Sequence, residues 1–197
     1  ETRGREEIVF FLRKGRWALL TALFLSQACP AQDRLAACKA CHGPDGNSVT
    51  AGVPSLAGQP KIFLENQMIL FREELRRSPV MTPLLAGIKD PEIIRLADHF
   101  SKLPAKPVAA TPADKALAKQ GEGLGRKLRC NVCHLSSYHG QKQMPRLAGQ
   151  REDYLRSEML AYRDGNRSGG DTIMAAALYG VKDEEIRALA HFLSRLR

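Results

Sequence analysis

Two stretches of this chain share one five-residue arrangement, Cys38-Lys39-Ala40-Cys41-His42 and Cys130-Asn131-Val132-Cys133-His134. Sulfurs three positions apart project from one face of a helical turn, so both can reach the vinyl groups on one porphyrin edge. The adjacent histidine can then turn beneath the ring and ligate iron, which makes the arrangement a signature of covalent c-type haem attachment. Other cysteine chemistry fits less well. A four-sulfur zinc site would have to join pairs from different repeats. Disulfides or a thioredoxin-like redox pair remain as readings, but neither explains a histidine after both pairs.

The other axial position of each iron must be filled from elsewhere, and two pairs of methionines recur. Met68 shares a helical stripe with Leu64, Phe71 and Leu75, and Met159 with Leu155 and Tyr162, so these two are expected in the core. Met81 sits in Pro79-Val80-Met81-Thr82-Pro83, a segment that its prolines should keep out of helix, and Met174 follows Gly169-Gly170-Asp171-Thr172-Ile173. A ligand presented from an irregular segment makes Met81 and Met174 the candidates, with a methionine that merely packs on haem as the alternative. Met144 has no equivalent and is expected to line the second pocket. His139 is a rival ligand, and a solvent-facing loop histidine is the plainer reading. Histidine and methionine together leave no open site for substrate, and the thioether favours ferrous iron. The chemistry expected is therefore outer-sphere transfer of single electrons, not catalysis. A dihaem enzyme with one open iron is the contrasting reading.

What must position these groups is a duplicated unit. Pro54-Ser55-Leu56-Ala57-Gly58-Gln59 returns as Pro145-Arg146-Leu147-Ala148-Gly149-Gln150, and Gly87-Ile88-Lys89-Asp90 as Gly180-Val181-Lys182-Asp183. The pattern predicts an all-α chain. Each unit has a short helix into the cysteine motif, then a loop, then a helix over Lys61 to Arg77 or Arg151 to Arg163. A last helix starts after a capping aspartate, Asp90 or Asp183, and buries Ile93, Leu96, Ala97 and Phe100, or Ile186, Leu189, Ala190 and Leu193. The expected divisions are residues 32–103 and 114–197 as two domains, with the proline- and alanine-rich 104–113 as a semi-rigid linker. Domains this small bury little core unaided, and a haem supplies the missing apolar centre.

Residues 1–31 read as a secretory signal: Arg13, Lys14 and Arg16 precede the apolar stretch from Trp17 to Leu25, and small residues follow at Ser26, Ala28 and Ala31. A retained membrane anchor is the alternative, and Cys29 raises a lipoprotein reading that Ser26 and Gln27 disfavour. Periplasmic localisation follows from the signal. Of the chain's formal charge of +9, residues 107–197 contribute +5, with 15 basic against 10 acidic groups. Such asymmetry can steer an acidic redox partner or a membrane surface, although a solvated basic face explains any single charge. No nucleic-acid motif is present.

Over residues 34–197 the chain resembles the class I c-type cytochromes, and most closely the dihaem cytochrome c4 family. The resemblance rests on Cys38-Lys39-Ala40-Cys41-His42-Gly43-Pro44-Asp45-Gly46-Asn47-Ser48, on both Pro-x-Leu-Ala-Gly-Gln segments and on the methionine-to-last-helix segments. It implies two tandem cytochrome c domains, each with one covalent haem c, facing each other about a pseudo-twofold axis. It also implies that the carbonyls of Pro54 and Pro145 accept a hydrogen bond from His42 and His134. The role implied is a monomeric shuttle between a quinol-oxidising cytochrome bc complex and a terminal oxidase or reductase, while similar family members serve dehydrogenases as electron-transfer subunits. Two departures stand out. The helix before Cys38 is short, and Leu135-Ser136-Ser137-Tyr138-His139-Gly140 replaces the Gly-Pro-Asp-Gly loop in the second half.

Overall fold

The computed structural model describes residues 34–107 and 112–197. The expected signal segment and Cys29 lie outside the described residues, as does the middle of the expected linker. The described elements are helices: α1 (Arg34–His42), α2 (Lys61–Arg72), α3 (Met81–Leu85), α4 (Asp90–Ser101), α5 (Lys115–Lys127), α6 (Cys130–His134), α7 (Glu152–Arg163), α8 (Thr172–Leu178) and α9 (Asp183–Ser194). The one extended pairing among them is an isolated bridge between Gln141 and Met144. No described helix is long and apolar enough to cross a membrane.

Each half builds its own apolar centre. In the first, α2 packs on α4, and Leu64, Phe71, Leu85, Ile88, Ile93, Leu96, Ala97 and Phe100 are buried. In the second, α9 packs on both α5 and α7, and Leu155, Met159, Leu178, Ile186, Leu189 and Leu193 are buried. The last helices therefore bury the residues that the 3.6-residue period selects. Met68 and Met159 pack into these cores as expected. A close backbone crossing brings α5 against α9, where a Cβ at Gly121 would run into the Ala188 carbonyl.

Three local expectations are corrected. The helix expected to run to Arg77 stops at Arg72: Glu74 takes a positive φ of 55°, and the Arg76 N–H donates back to the Leu70 carbonyl at 2.9 Å. This turn brings the Arg76 guanidinium over the Phe71 ring at 4.6 Å. Asp90 and Asp183 are the first helical residues and not the caps; Lys89 and Lys182 hold the N-cap positions. Both carboxylates accept from an arginine of the preceding long helix, Arg72 or Arg163, while the Lys182 N–H is capped by Glu185 at 3.0 Å. The acids still sit where the helix dipole favours negative charge. Finally, Met81 and Met174 are helical, in the first turns of α3 and α8. Pro83 does not prevent this, because the first turn of a helix leaves its N–H groups without intrahelical acceptors. The Met81 N–H instead donates to Ser78 Oγ at 3.1 Å, and Asp171 caps α8 through the Ile173 N–H at 2.7 Å.

The ends of the expected linker are tied down. Asn47 Nδ2 donates to the Pro104 carbonyl at 3.1 Å, the Lys106 N–H donates to Asn47 Oδ1 at 2.8 Å, and Lys106 Nζ meets Asp45 at 2.7 Å. The hydrogen bond from Lys106 holds the Asp45 carboxyl down at about 2. On the far side, Arg195 donates to the Pro112 carbonyl at 3.1 Å and the Asp114 N–H donates to His191 Nε2 at 3.1 Å. Hydrogen bonds join the halves directly, and residues 34–107 and 112–197 fall within one compact unit.

Candidate haem sites and their cross-half contacts

The first cysteine motif lies along α1, where Cys38 is buried and Cys41 exposed, one turn apart on a continuous helix. In the second half the same spacing is presented by the short α6, which starts after Arg129 in a left-handed conformation (φ 58°). Cys130 is half-buried and Cys133 exposed there, and burial raises the Cys130 thiol pKa. None of these four cysteines is in a disulfide.

Both motif histidines are buried and held by the same device. His42 Nδ1 lies 2.7 Å from the Pro54 carbonyl, and His134 Nδ1 lies 2.9 Å from the Pro145 carbonyl. A carbonyl only accepts, so in each ring Nδ1 carries the proton and Nε2 carries the lone pair. Burial lowers the pKa of both imidazoles, partly offset by the carbonyl bond, which favours the neutral ring that ligates iron. His134 Nε2 is fully buried with no hydrogen-bond partner. A buried nitrogen lone pair without a donor is costly in a folded protein unless something else ligates it, so this ring fits an axial ligand to iron.

The methionine candidates lie at the edges of the apolar centres. Met174 packs against the cluster that Cys130 also touches. Met81 packs against the cluster formed by Phe71, Leu85, Ile88, Ile93 and Leu96, which shares its half-buried neighbours Leu35 and Met68 with the cluster containing Cys38. Met144 is half-buried next to Pro145. His139 is exposed on its loop, as expected of a solvent-facing residue.

The contacts between the halves escaped sequence reasoning, although the repeat contained them. Gln59 Nε2 donates to the Arg146 carbonyl at 2.9 Å, and Gln59 Oε1 accepts the Arg146 N–H at 2.9 Å. Gln150, its counterpart, donates to the Ser55 carbonyl at 2.9 Å and accepts the Ser55 N–H at 2.8 Å. Both glutamines are 4% exposed. A second reciprocal set involves Arg76 and Arg167. Each donates to both Gln67 and Glu158, at 2.7 and 2.9 Å from Arg76 and at 3.1 and 2.6 Å from Arg167. Asp153 adds a bond from the Gly52 N–H at 2.9 Å. The signal that could have revealed this was the glutamine closing both Pro-x-Leu-Ala-Gly-Gln segments; in the second half Gln150 Oε1 also accepts the Arg151 N–H at 2.9 Å.

Comparison with known proteins gives this arrangement its family. A cytochrome c family model matches residues 118–197. Cytochrome c4 of Pseudomonas aeruginosa is 32% identical over 180 residues, covering 86% of this chain and 88% of the relative. The chain belongs to the cytochrome c4 family. The reduced cytochrome c4 structure from Pseudomonas stutzeri matches with a TM-score of 0.76 at 33% identity, covering 83% of this chain and 95% of that one. A Stutzerimonas stutzeri relative named thiosulfate dehydrogenase electron acceptor is 30% identical over 81% of this chain and 79% of its own. As a cytochrome c4 family member the chain is a dihaem electron carrier with two covalently bound haems c.

Proposed function

We propose that Cys38 and Cys41 fasten one haem and Cys130 and Cys133 the other, that His42 and Met81 are the axial ligands of the first iron, and that His134 and Met174 are those of the second. The observation that carries this reading is the paired placement of His42 on Pro54 and His134 on Pro145, each beside a cysteine pair. When bound, haem supplies a one-electron couple and a large apolar centre for each small half. Around it the chain's own residues orient and insulate: Pro54 and Pro145 fix the tautomer and plane of the imidazoles. Residues 32–103 and 114–197 act as two haem domains joined through 104–113.

In this reading the protein is a monomeric shuttle in the periplasm, taking electrons from a quinol-oxidising cytochrome bc complex and passing them to a terminal oxidase or reductase. The relative named as a thiosulfate dehydrogenase electron acceptor supports a second reading, in which a dehydrogenase is the donor. Reduction of the purified cytochrome by each candidate donor, followed by stopped flow, separates the two.

A pyridine haemochrome assay with intact mass tests the attachment: two haems per chain are expected, and a colourless mature protein of bare polypeptide mass would overturn the reading. Met174→Ala is expected to let the second iron bind added imidazole while the first is unaffected. An unchanged spectrum for both haems would reject Met174 as ligand, and Met81→Ala makes the same test of the first site.

A further inference from the structure

The peptide group linking Pro54 to Ser55 is used at both ends. Its carbonyl faces His42 Nδ1 at 2.7 Å, and its N–H donates to Gln150 Oε1, from the other half, at 2.8 Å. The peptide group linking Pro145 to Arg146 repeats this: its carbonyl faces His134 Nδ1 at 2.9 Å and its N–H donates to Gln59 Oε1 at 2.9 Å. Ser55, Arg146, Gln59 and Gln150 are all buried, between 2% and 7% exposed, so water does not compete for these bonds. Each glutamine also donates to the carbonyl of the same residue whose N–H it accepts, which fixes the orientation of its amide.

A peptide group whose N–H is hydrogen-bonded carries more negative charge on its oxygen and accepts more strongly, and chains of hydrogen bonds in a low-dielectric interior reinforce one another. A stronger acceptor at Nδ1 makes the imidazole more basic at Nε2, and a more basic axial ligand stabilises ferric over ferrous iron. We propose that Gln150 is a positioning residue for the first haem and Gln59 for the second: each half's glutamine tunes the proximal histidine of the other half through one shared peptide group.

This inference rests on the proposed ligation by His42 and His134. Its test is the pair of variants Gln150→Met and Gln59→Met in the mature dihaem protein, each near-isosteric and with a weakly accepting thioether in place of the amide oxygen that takes the N–H. Gln150→Asn and Gln59→Asn keep the amide but fall short by one methylene, and they serve if a methionine variant does not fold. The potentials of the two haems are followed separately by redox titration of their assigned NMR signals. Gln150→Met is expected to raise the first haem's potential, changing its reduced-to-oxidised ratio two- to fivefold at fixed poise, about 20–40 mV at 59 mV per tenfold. The second haem should move less than a third as far. Gln59→Met should give the mirror result. A readout independent of iron is amide exchange: the Ser55 N–H should lose protection in Gln150→Met and the Arg146 N–H in Gln59→Met.

A merely structural role would loosen the interface and shift both haems together. Equal shifts, shifts confined to the substituted half, or no shift would overturn the coupling while leaving haem ligation intact. A protein that carries no haem would overturn the ligation, and the coupling with it.

Discussion

Gly46 and Tyr138 occupy the same place in the two halves and reach the same backbone geometry by opposite means. Each offers its carbonyl to two successive N–H groups, Leu56 and Ala57 in the first half and Leu147 and Ala148 in the second, at 2.8 and 3.0 Å. Both have positive φ, 74° at Gly46 and 56° at Tyr138. In the first half glycine takes this conformation without strain, and a Cβ there would come within 3.1 Å of Phe100. In the second half the strain of a left-handed tyrosine is offset by its side chain. Its ring is 5% exposed and meets Phe192 of α9, the neighbour of Leu193 that stands at the place of Phe100, edge-on at 5.7 Å. The loop is thus specified by where its carbonyl must point, and either a small or a large residue satisfies it if the neighbouring helix leaves room. Gly125 of α5 provides that room, since a Cβ there would lie 2.8 Å from the Tyr138 hydroxyl.

The comparison can be broken most forcefully at the cores. Ile93 and Ile186 are equivalent and at most 1% exposed, so Ile93→Ala and Ile186→Ala should each cost about 2–5 kcal/mol, measured by chemical denaturation. Similar losses are expected from the two halves, with one cooperative transition in each case because buried hydrogen bonds join them. Two well-separated transitions would show that the halves unfold independently.

The reciprocal arginine contacts differ in charge. Gln67 and Glu158 are equivalent and each receives both Arg76 and Arg167, but only Glu158 is an anion. Glu158→Ala leaves two mostly buried guanidinium groups without a counter-charge and should cost about 3 kcal/mol. Gln67→Ala removes only neutral acceptors and should cost about 1 kcal/mol. Equal costs in denaturant titrations would mean that charge contributes nothing at this contact.

A finer test exchanges the loop solutions. Gly46→Ala should destabilise by about 1–2 kcal/mol, from left-handed strain and crowding against Phe100. Tyr138→Phe should be close to neutral, because the ring carries the packing; a large loss would reassign the stabilisation to the hydroxyl. The smallest effect is expected at the linker. Asp45→Asn removes the anion facing Lys106 and should speed proteolytic cleavage beyond Lys106 with little change in overall stability. The Asp45 carboxyl is depressed in the fold, so its contribution is present above 3.8 and lost as pH falls toward about 2. NMR titration of that carboxyl with a midpoint near 4 would show that the Lys106 contact does not persist in solution.

Much of this arrangement was legible in the sequence because it depends on local spacing. The Cys-x-x-Cys-His motifs, the internal repeat and the buried faces of α4 and α9 all follow from positions three or four apart. What was not legible depends on partners distant in the chain. Asp90 and Asp183 look like caps until Arg72 and Arg163 are seen to take their carboxylates. Met81 looks excluded from helix until Pro83 falls within a first turn that needs no N–H. Gln59 and Gln150 stand in the repeated segments without a visible task until the other half's backbone meets them. The replacement of Gly46 by Tyr138 reads as a lost turn, because sequence alone does not show that Gly125 opens a slot for the ring.

The glutamine contacts read only main-chain atoms, and such an interface is blind to the residue type it grips. Ser55 and Arg146 show the result: after duplication one copy holds a small hydroxyl and the other a long cation, yet the four bonds match to within 0.1 Å. A twin built in this way leaves its descendants free to diverge at the seam without coming apart.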